Sequence, residues 1–238
     1  MYRNLRFTAL VVAGGTGKRM KAGVAKQFIK LNQKPMLYYS LKAFEDSLID
    51  EIILVSGAHQ IDYCREEIVE KYSLKKVKKI VAGGEERYHS VAAGLGAMDK
   101  TDFVLIHDGA RPCINQSVIE RCLDGVIDYG ACTAGVKVID TIAIANEDRK
   151  IMEIPNRNFL WSIQTPQCFA FAEIQQAHKN FSQEEKRMTL DQKGLITDDV
   201  RVYQQFLNKE VFMIEGSYDN IKVTTPVDIT RAENILNL

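Results

Sequence analysis

The feature that most limits how this chain can fold is an alternation of short apolar runs with amphipathic stretches of helical length. Residues 6–12 are almost wholly apolar, the pattern of a strand covered on both faces. Further strands are expected at 51–55, 77–81, 103–106 and 131–136, with helices over 59–71, 87–98 and 116–128 between them. Another helix, PMLYYSLKAFEDS, opens at Pro35, where a missing N–H costs nothing in the first turn. Leu37, Leu41 and Phe44 share one of its faces. Strands joined by helices of this length point to an α/β fold, a mainly parallel sheet flanked by helices with right-handed crossovers.

After Val136 the rhythm breaks. VKVIDTIAIANEDRKIMEIPNRNFLWSIQTP contains short alternating pieces around Asn146-Glu147-Asp148, which reads as a hairpin projecting from the sheet. Residues 137–160 are therefore expected to form a β-arm within one domain spanning 1–238. A lone two-stranded ribbon cannot satisfy its apolar faces, so packing against a second subunit is expected, the alternative being return onto its own domain. Beyond it come helices over 171–181 and 197–206, a strand at 211–214 and a last helix opened by Pro226.

Lys plus Arg and Asp plus Glu both total 31, so no single-sign field suits a nucleic-acid partner. Five scattered cysteines without a Cys-x-x-Cys, and four histidines without zinc spacing, fit a reducing cytoplasm. The first apolar run is too short for a membrane span or a signal-peptide core. A cytoplasmic protein with no membrane partner is expected.

Three segments carry chemistry. AGGTGKRM at 13–20, followed by Lys26-Gln27-Phe28, sits after the first strand, where α/β sheets form ligand crevices. It is no Walker loop, because Arg19 follows Lys18 and Val12 holds the first glycine position; nor is it a dinucleotide fingerprint, because Met20 replaces the third glycine. What remains is a glycine turn with Lys18, Arg19 and Lys26 behind it, suited to a triphosphate.

The second segment is VLIHDGARPC at 104–113. Asp108 at a strand end beside a triphosphate reads as a magnesium ligand, its rival reading being a turn residue bonded to local backbone. His107 reads as structural, since a phosphate nucleophile has no proton to give up at neutral pH. Arg111 either pairs with Asp108 or reaches a phosphate. The third segment is EGSYDNIKVTTP at 215–226. Ile221 and Val223 in a strand would face one way and turn Lys222 the other, towards a crevice or solvent. Thr141 in the ribbon, with Arg157 and Thr165 beyond its turn, are further candidates.

Together, GGTGKRM, Lys26-Gln27-Phe28, GGEERYHSV, VLIHDGARP, LWSIQTPQ and DNIKVTTP resemble the 2-C-methyl-D-erythritol 4-phosphate cytidylyltransferases over essentially the whole chain. The resemblance implies a homodimer of Rossmann-like α/β domains that exchange an arm. It also implies transfer of CMP from CTP to 2-C-methyl-D-erythritol 4-phosphate, in the non-mevalonate route to isoprenoid precursors. By resemblance, Arg19 and Lys26 hold the triphosphate, Asp108 holds Mg2+, and Lys222 touches the α-phosphate. Ala13, Gly14, Gly15, Glu85, Ser90 and Gly109 fall around the cytidine. Thr141, Arg157 and Thr165 fall at the acceptor phosphate, partly across the dimer, and Thr197 and Asp219 line the acceptor end. Two positions depart from the family pattern: Ala25 stands where a proline usually precedes the lysine, and Ala143 where the arm often carries a lysine.

The nearest alternative is a ribitol 5-phosphate cytidylyltransferase. Gly109-Ala110 before Arg111 favours the methylerythritol enzyme, while Pro155-Asn156-Arg157 looks more like the ribitol one. An NAD-dependent hydride-transfer enzyme and a non-catalytic nucleotide-binding module are the readings from other classes.

Overall fold

The computed structural model describes residues 1–15 and 25–237. Seven strands form one sheet: β1 Phe7–Ala13, β2 Glu51–Ser56, β3 Val77–Ala82, β4 Phe103–Asp108, β5 Ala131–Lys137, β6 Trp161–Ala170 and β7 Phe212–Glu215. Their order is β7-β5-β6-β4-β1-β2-β3. Every pairing is parallel except those of β6, which runs antiparallel to both β4 and β5. The crossovers carry α1 Met36–Glu45, α2 Arg87–Ala97 and α3 Gln116–Tyr129; α4 Phe171–Glu184, α5 Asp199–Leu207 and α6 Pro226–Leu236 follow β6.

The two faces of β1 explain its almost wholly apolar sequence, in which the one polar residue, buried Thr8, donates to Glu51. Phe7, Ala9 and Val11 pack with Leu37, Leu41, Phe44 and Val118 beneath α1 and α3. Leu10 points the other way, into a layer with Val91 and Leu95 of α2, Ile174 of α4 and Val202 of α5. Period-two alternation thus feeds two cores.

Three local expectations change. The helix expected over 59–71 is wound as a short 3-10 turn at Ala58–Gln60, one α-turn and a π-helical stretch at Cys64–Glu70. Its wider turns show in the Lys71 N–H bonding the Glu66 carbonyl and the Leu74 N–H bonding that of Val69. Residues 161–170, beyond the expected arm and not expected as a sheet strand, belong to the main sheet. Gln164, Thr165 and Gln167 hid this strand, because they are buried there yet hydrogen-bonded, so it lacks an apolar signature. Finally, 217–225 is an extended loop, not a strand. Val223 is nevertheless buried and Lys222 exposed, so the two side chains do part as expected.

The hairpin forms as two short antiparallel strands, Ile144–Ala145 and Ile151–Glu153, closed by the Asn146 N–H bonding the Lys150 carbonyl. Residues 139–154 are exposed throughout. Among the described residues no helix is long and apolar enough to cross a membrane.

Candidate active site

Parallel neighbours in register bring the carboxyl ends of β1 and β4 together, Val12 opposite Asp108. The chain turns at once after β4, and the Gly109 N–H bonds the Val12 carbonyl at 2.9 Å. A Cβ at Gly109 would lie 3.2 Å from that carbonyl oxygen and 3.3 Å from Ala13 Cβ, so glycine lets the two turns meet. Ser90, in the first turns of α2, closes the third side. Its hydroxyl accepts the Gly84 N–H at 3.2 Å and would lie 3.5 Å from a Cβ on Gly14. Ala13, Gly14, Ser90 and Gly109 therefore converge; Gly15 follows Gly14 with no neighbour within 4 Å of a Cβ built on it, and Glu85 is exposed beside Gly84.

Asp108 is 8 % exposed and is paired with two cations, Lys222 and Arg87, the second of which was not expected there. Lys222 Nζ lies 2.6 Å from its Oδ2. Arg87 Nε donates to its Oδ1 at 3.0 Å, while Arg87 Nη1 donates to Asp199 at 2.7 Å. Burial alone would raise the Asp108 pKa, but the Arg87 and Lys222 cations outweigh it and hold the carboxyl well below the usual range. Asp199, fully buried, behaves likewise: Arg87 and then His178 overcome the effect of burial.

The final loop is fastened to the turn after β4. Arg111 Nη1 donates to the Asn220 carbonyl at 2.7 Å, the Val223 N–H bonds the Ala110 carbonyl, and the Asn220 amide donates to the Thr165 carbonyl at 2.9 Å. These bonds deliver Lys222 to Asp108 without a strand. Arg111 thus makes no direct bond to Asp108: its Nη1 goes to backbone, while its charge still acts on that carboxylate.

His107 is buried between Thr165 Oγ1, 3.0 Å from Nδ1, and the Arg111 carbonyl, 3.2 Å from Nε2. Burial lowers its pKa to about 4, so it is neutral at pH 7 and braces the turn. The Thr165 hydroxyl is equally engaged, accepting the Asp108 N–H at 3.1 Å.

Lys26 opens a short 3-10 turn, Lys26–Phe28, pinned by buried Gln27 and by Phe28 against Tyr63, ring centres 4.6 Å apart. Arg19 lies outside the described residues, as does Lys18. Thr197 and Asp219 are exposed, Thr197 just ahead of α5 and Asp219 beside Asn220. Thr141 and Arg157 are not brought to the cluster within one chain: both are exposed in the arm region, and Arg157 donates to the Ile139 carbonyl. The sequence reading missed Arg87 and Asp199. Arg87 lies inside GGEERYHSV, but nothing local marks it as a bridge to a carboxylate on α5.

Among the described residues no three His, Cys, Asp or Glu side chains gather as a metal cage. Asp108 still fits magnesium, which needs one or two carboxylates and takes its other ligands from phosphates and water. Each Asp108 oxygen accepts one protein contact here, leaving lone pairs for an ion.

Comparison with known proteins bears on the whole chain. A family model described as 2-C-methyl-D-erythritol 4-phosphate cytidylyltransferase matches residues 7–238. A protein of that name from Clostridium botulinum (strain Eklund 17B / Type B) is 48 % identical over 231 residues, covering 97 % of this chain and 99 % of the relative. One from Lachnoclostridium phytofermentans is 43 % identical over 231 residues, 97 % and 96 % of the two chains. The crystal structure of 4-diphosphocytidyl-2C-methyl-D-erythritol synthase from Anaerococcus prevotii superposes with a TM-score of 0.83 at 28 % identity, covering 98 % and 97 %. That of the Thermus thermophilus cytidylyltransferase gives 0.76 at 26 %, covering 98 % and 100 %.

Proposed function

The chain belongs to the 2-C-methyl-D-erythritol 4-phosphate cytidylyltransferase family, and from that premise we infer how its strand-end charges perform the family's reaction. The protein is a CTP-dependent nucleotidyltransferase that transfers CMP from CTP to 2-C-methyl-D-erythritol 4-phosphate. The products are 4-diphosphocytidyl-2-C-methyl-D-erythritol and pyrophosphate.

A phosphate oxygen of the acceptor attacks the α-phosphorus, a new P–O bond forms, and the bond to the bridging β-oxygen breaks in line. Negative charge grows on the non-bridging and leaving oxygens, so fixed cations lower the barrier more than an acid–base pair would. Lys222 is assigned to the α-phosphate, Lys26 to the α-phosphate and leaving oxygens, and Arg19 to the β/γ end. Asp108 is assigned to hold Mg2+, which when bound supplies charge neutralisation for the triphosphate. Ala13, Gly14, Gly15, Glu85, Ser90 and Gly109 surround the cytidine. Thr165, Thr197 and Asp219 belong to the acceptor side.

One observation carries this reading: Lys222 and Asp108, from distant segments, meet at the strand end that also carries the Ala13–Gly15 turn. Lys222→Ala tests it. Turnover at saturating CTP should fall far more than folding stability, and near-normal turnover would remove the assignment.

The arm is assigned to dimerisation, with Thr141 and Arg157 serving the partner's acceptor site. In its support, Ile144, Ile151, Met152, Ile154 and Phe159 are all at least half exposed, more apolar surface than a short hairpin leaves to water without a partner. All five cysteines are free and buried, which suits the cytoplasm.

A further inference from the structure

We propose that Asp199 is a positioning residue for the Asp108 site, an electrostatic counterweight that offsets Arg87 and so keeps Asp108 available to a magnesium-bound triphosphate. The inference rests on the reading of Asp108 as the metal ligand.

Arg87, largely buried, lies between the two carboxylates and donates to both. Three cations bear on Asp108: Arg87, Lys222 and Arg111. With Asp108 as their only counterion the cluster would carry two net positive charges; Asp199 lowers this to one and so eases the entry of a divalent cation. Asp199 supplies the second negative charge, and its position is fixed from every side. The Gln167 side-chain oxygen accepts the N–H groups of Asp199 and Val200 at 2.9 and 3.1 Å. His178 Nε2 lies 3.3 Å from the carboxylate oxygen that Arg87 does not use. As the first residue of α5, Asp199 also meets the positive end of that helix. A fully buried carboxylate is costly unless it is paired, and the cation that Asp199 neutralises is Arg87.

A merely structural ion pair and a counterweight differ in what they do to ligands. Loosening α5 weakens all nucleotide binding together. Removing the counterweight instead leaves Arg87 uncompensated, which favours a bare polyanion and disfavours Mg2+.

The test is calorimetric titration of CTP into the full-length protein, in Mg2+ and in EDTA, with thermal unfolding alongside. Asp199→Asn keeps the side-chain shape. It should bind CTP in EDTA at least as tightly as the parent, while the affinity gained from Mg2+ shrinks by roughly tenfold. A parent-like gain from Mg2+, or equal losses in both conditions, would overturn the inference. Because Asp199→Asn risks misfolding by stranding a buried cation, Arg87→Gln/Asp199→Asn supplies a second arm without that charge. There the Mg2+ gain should equal or exceed the parent's, and its loss would contradict the counterweight. An unmodified protein that gains no CTP affinity from Mg2+ would instead refute Asp108 as metal ligand, taking this inference with it.

Discussion

Lys222 Nζ sits 2.6 Å from Asp108 Oδ2, a contact between the last loop and the end of a central strand. Lys222 is 40 % exposed, whereas Asp108 is nearly buried and keeps Arg87 as a second partner, so losing Lys222 should cost folding less than it costs the chemistry proposed for it. Lys222→Ala is expected to lower kcat by a factor corresponding to about 3 kcal/mol in the barrier. Its unfolding free energy should fall by less than that, because Arg87 still pairs with the nearly buried Asp108. Pyrophosphate release at saturating CTP, with a denaturant melt, measures both.

Lys26→Ala should behave similarly in rate, by on the order of 3 kcal/mol. The turn it opens is also held by buried Gln27 and by Phe28 against Tyr63. Thermal unfolding, measured alongside, should fall far less than the rate.

Much of the fold was legible because both layers leave a periodic trace: β1 feeds two cores through alternate residues, and α1 buries Leu37, Leu41 and Phe44 at helical spacing. β6 was not legible, since buried Gln164, Thr165 and Gln167 are satisfied by partners distant in sequence. The same limit applies to the site. Asp108 and Lys222 sit in motifs that announce themselves, but the Arg87–Asp199 bridge joins two helices whose approach only the folded sheet determines.

Acid should unfold the protein partly through Asp199. Its folded pKa is depressed below the ordinary carboxylate value of about 3.9, so the unfolded chain takes up the proton first as pH falls. Its contribution is present in full above that value and is lost as pH drops through the folded pKa. Unfolding free energy followed below about pH 4 should decline in the parent and decline less steeply in Asp199→Asn.

The arm prediction concerns assembly. Met152→Glu with Phe159→Glu places charges on two of its most exposed apolar positions. Sedimentation should show a dimer for the parent and monomer for the variant, because burying an unpaired carboxylate in an apolar contact is strongly unfavourable.

Packing of α2 on β1 offers a check on the sheet itself. A Cβ at Gly94 would lie 2.3 Å from Leu10 Cδ1 and 2.9 Å from Val55 Cγ2, both in the core. Gly94→Ala should cost about 1–3 kcal/mol of unfolding free energy through overpacking. A denaturant melt measures it.

The most direct test of the central claim is pyrophosphate release by the purified protein with CTP, Mg2+ and one polyol phosphate at a time. The account predicts rapid release with 2-C-methyl-D-erythritol 4-phosphate, little with ribitol 5-phosphate, and a collapse of the first rate in Lys222→Ala. Release with ribitol 5-phosphate alone, or a Lys222→Ala variant as fast as the parent, would contradict it.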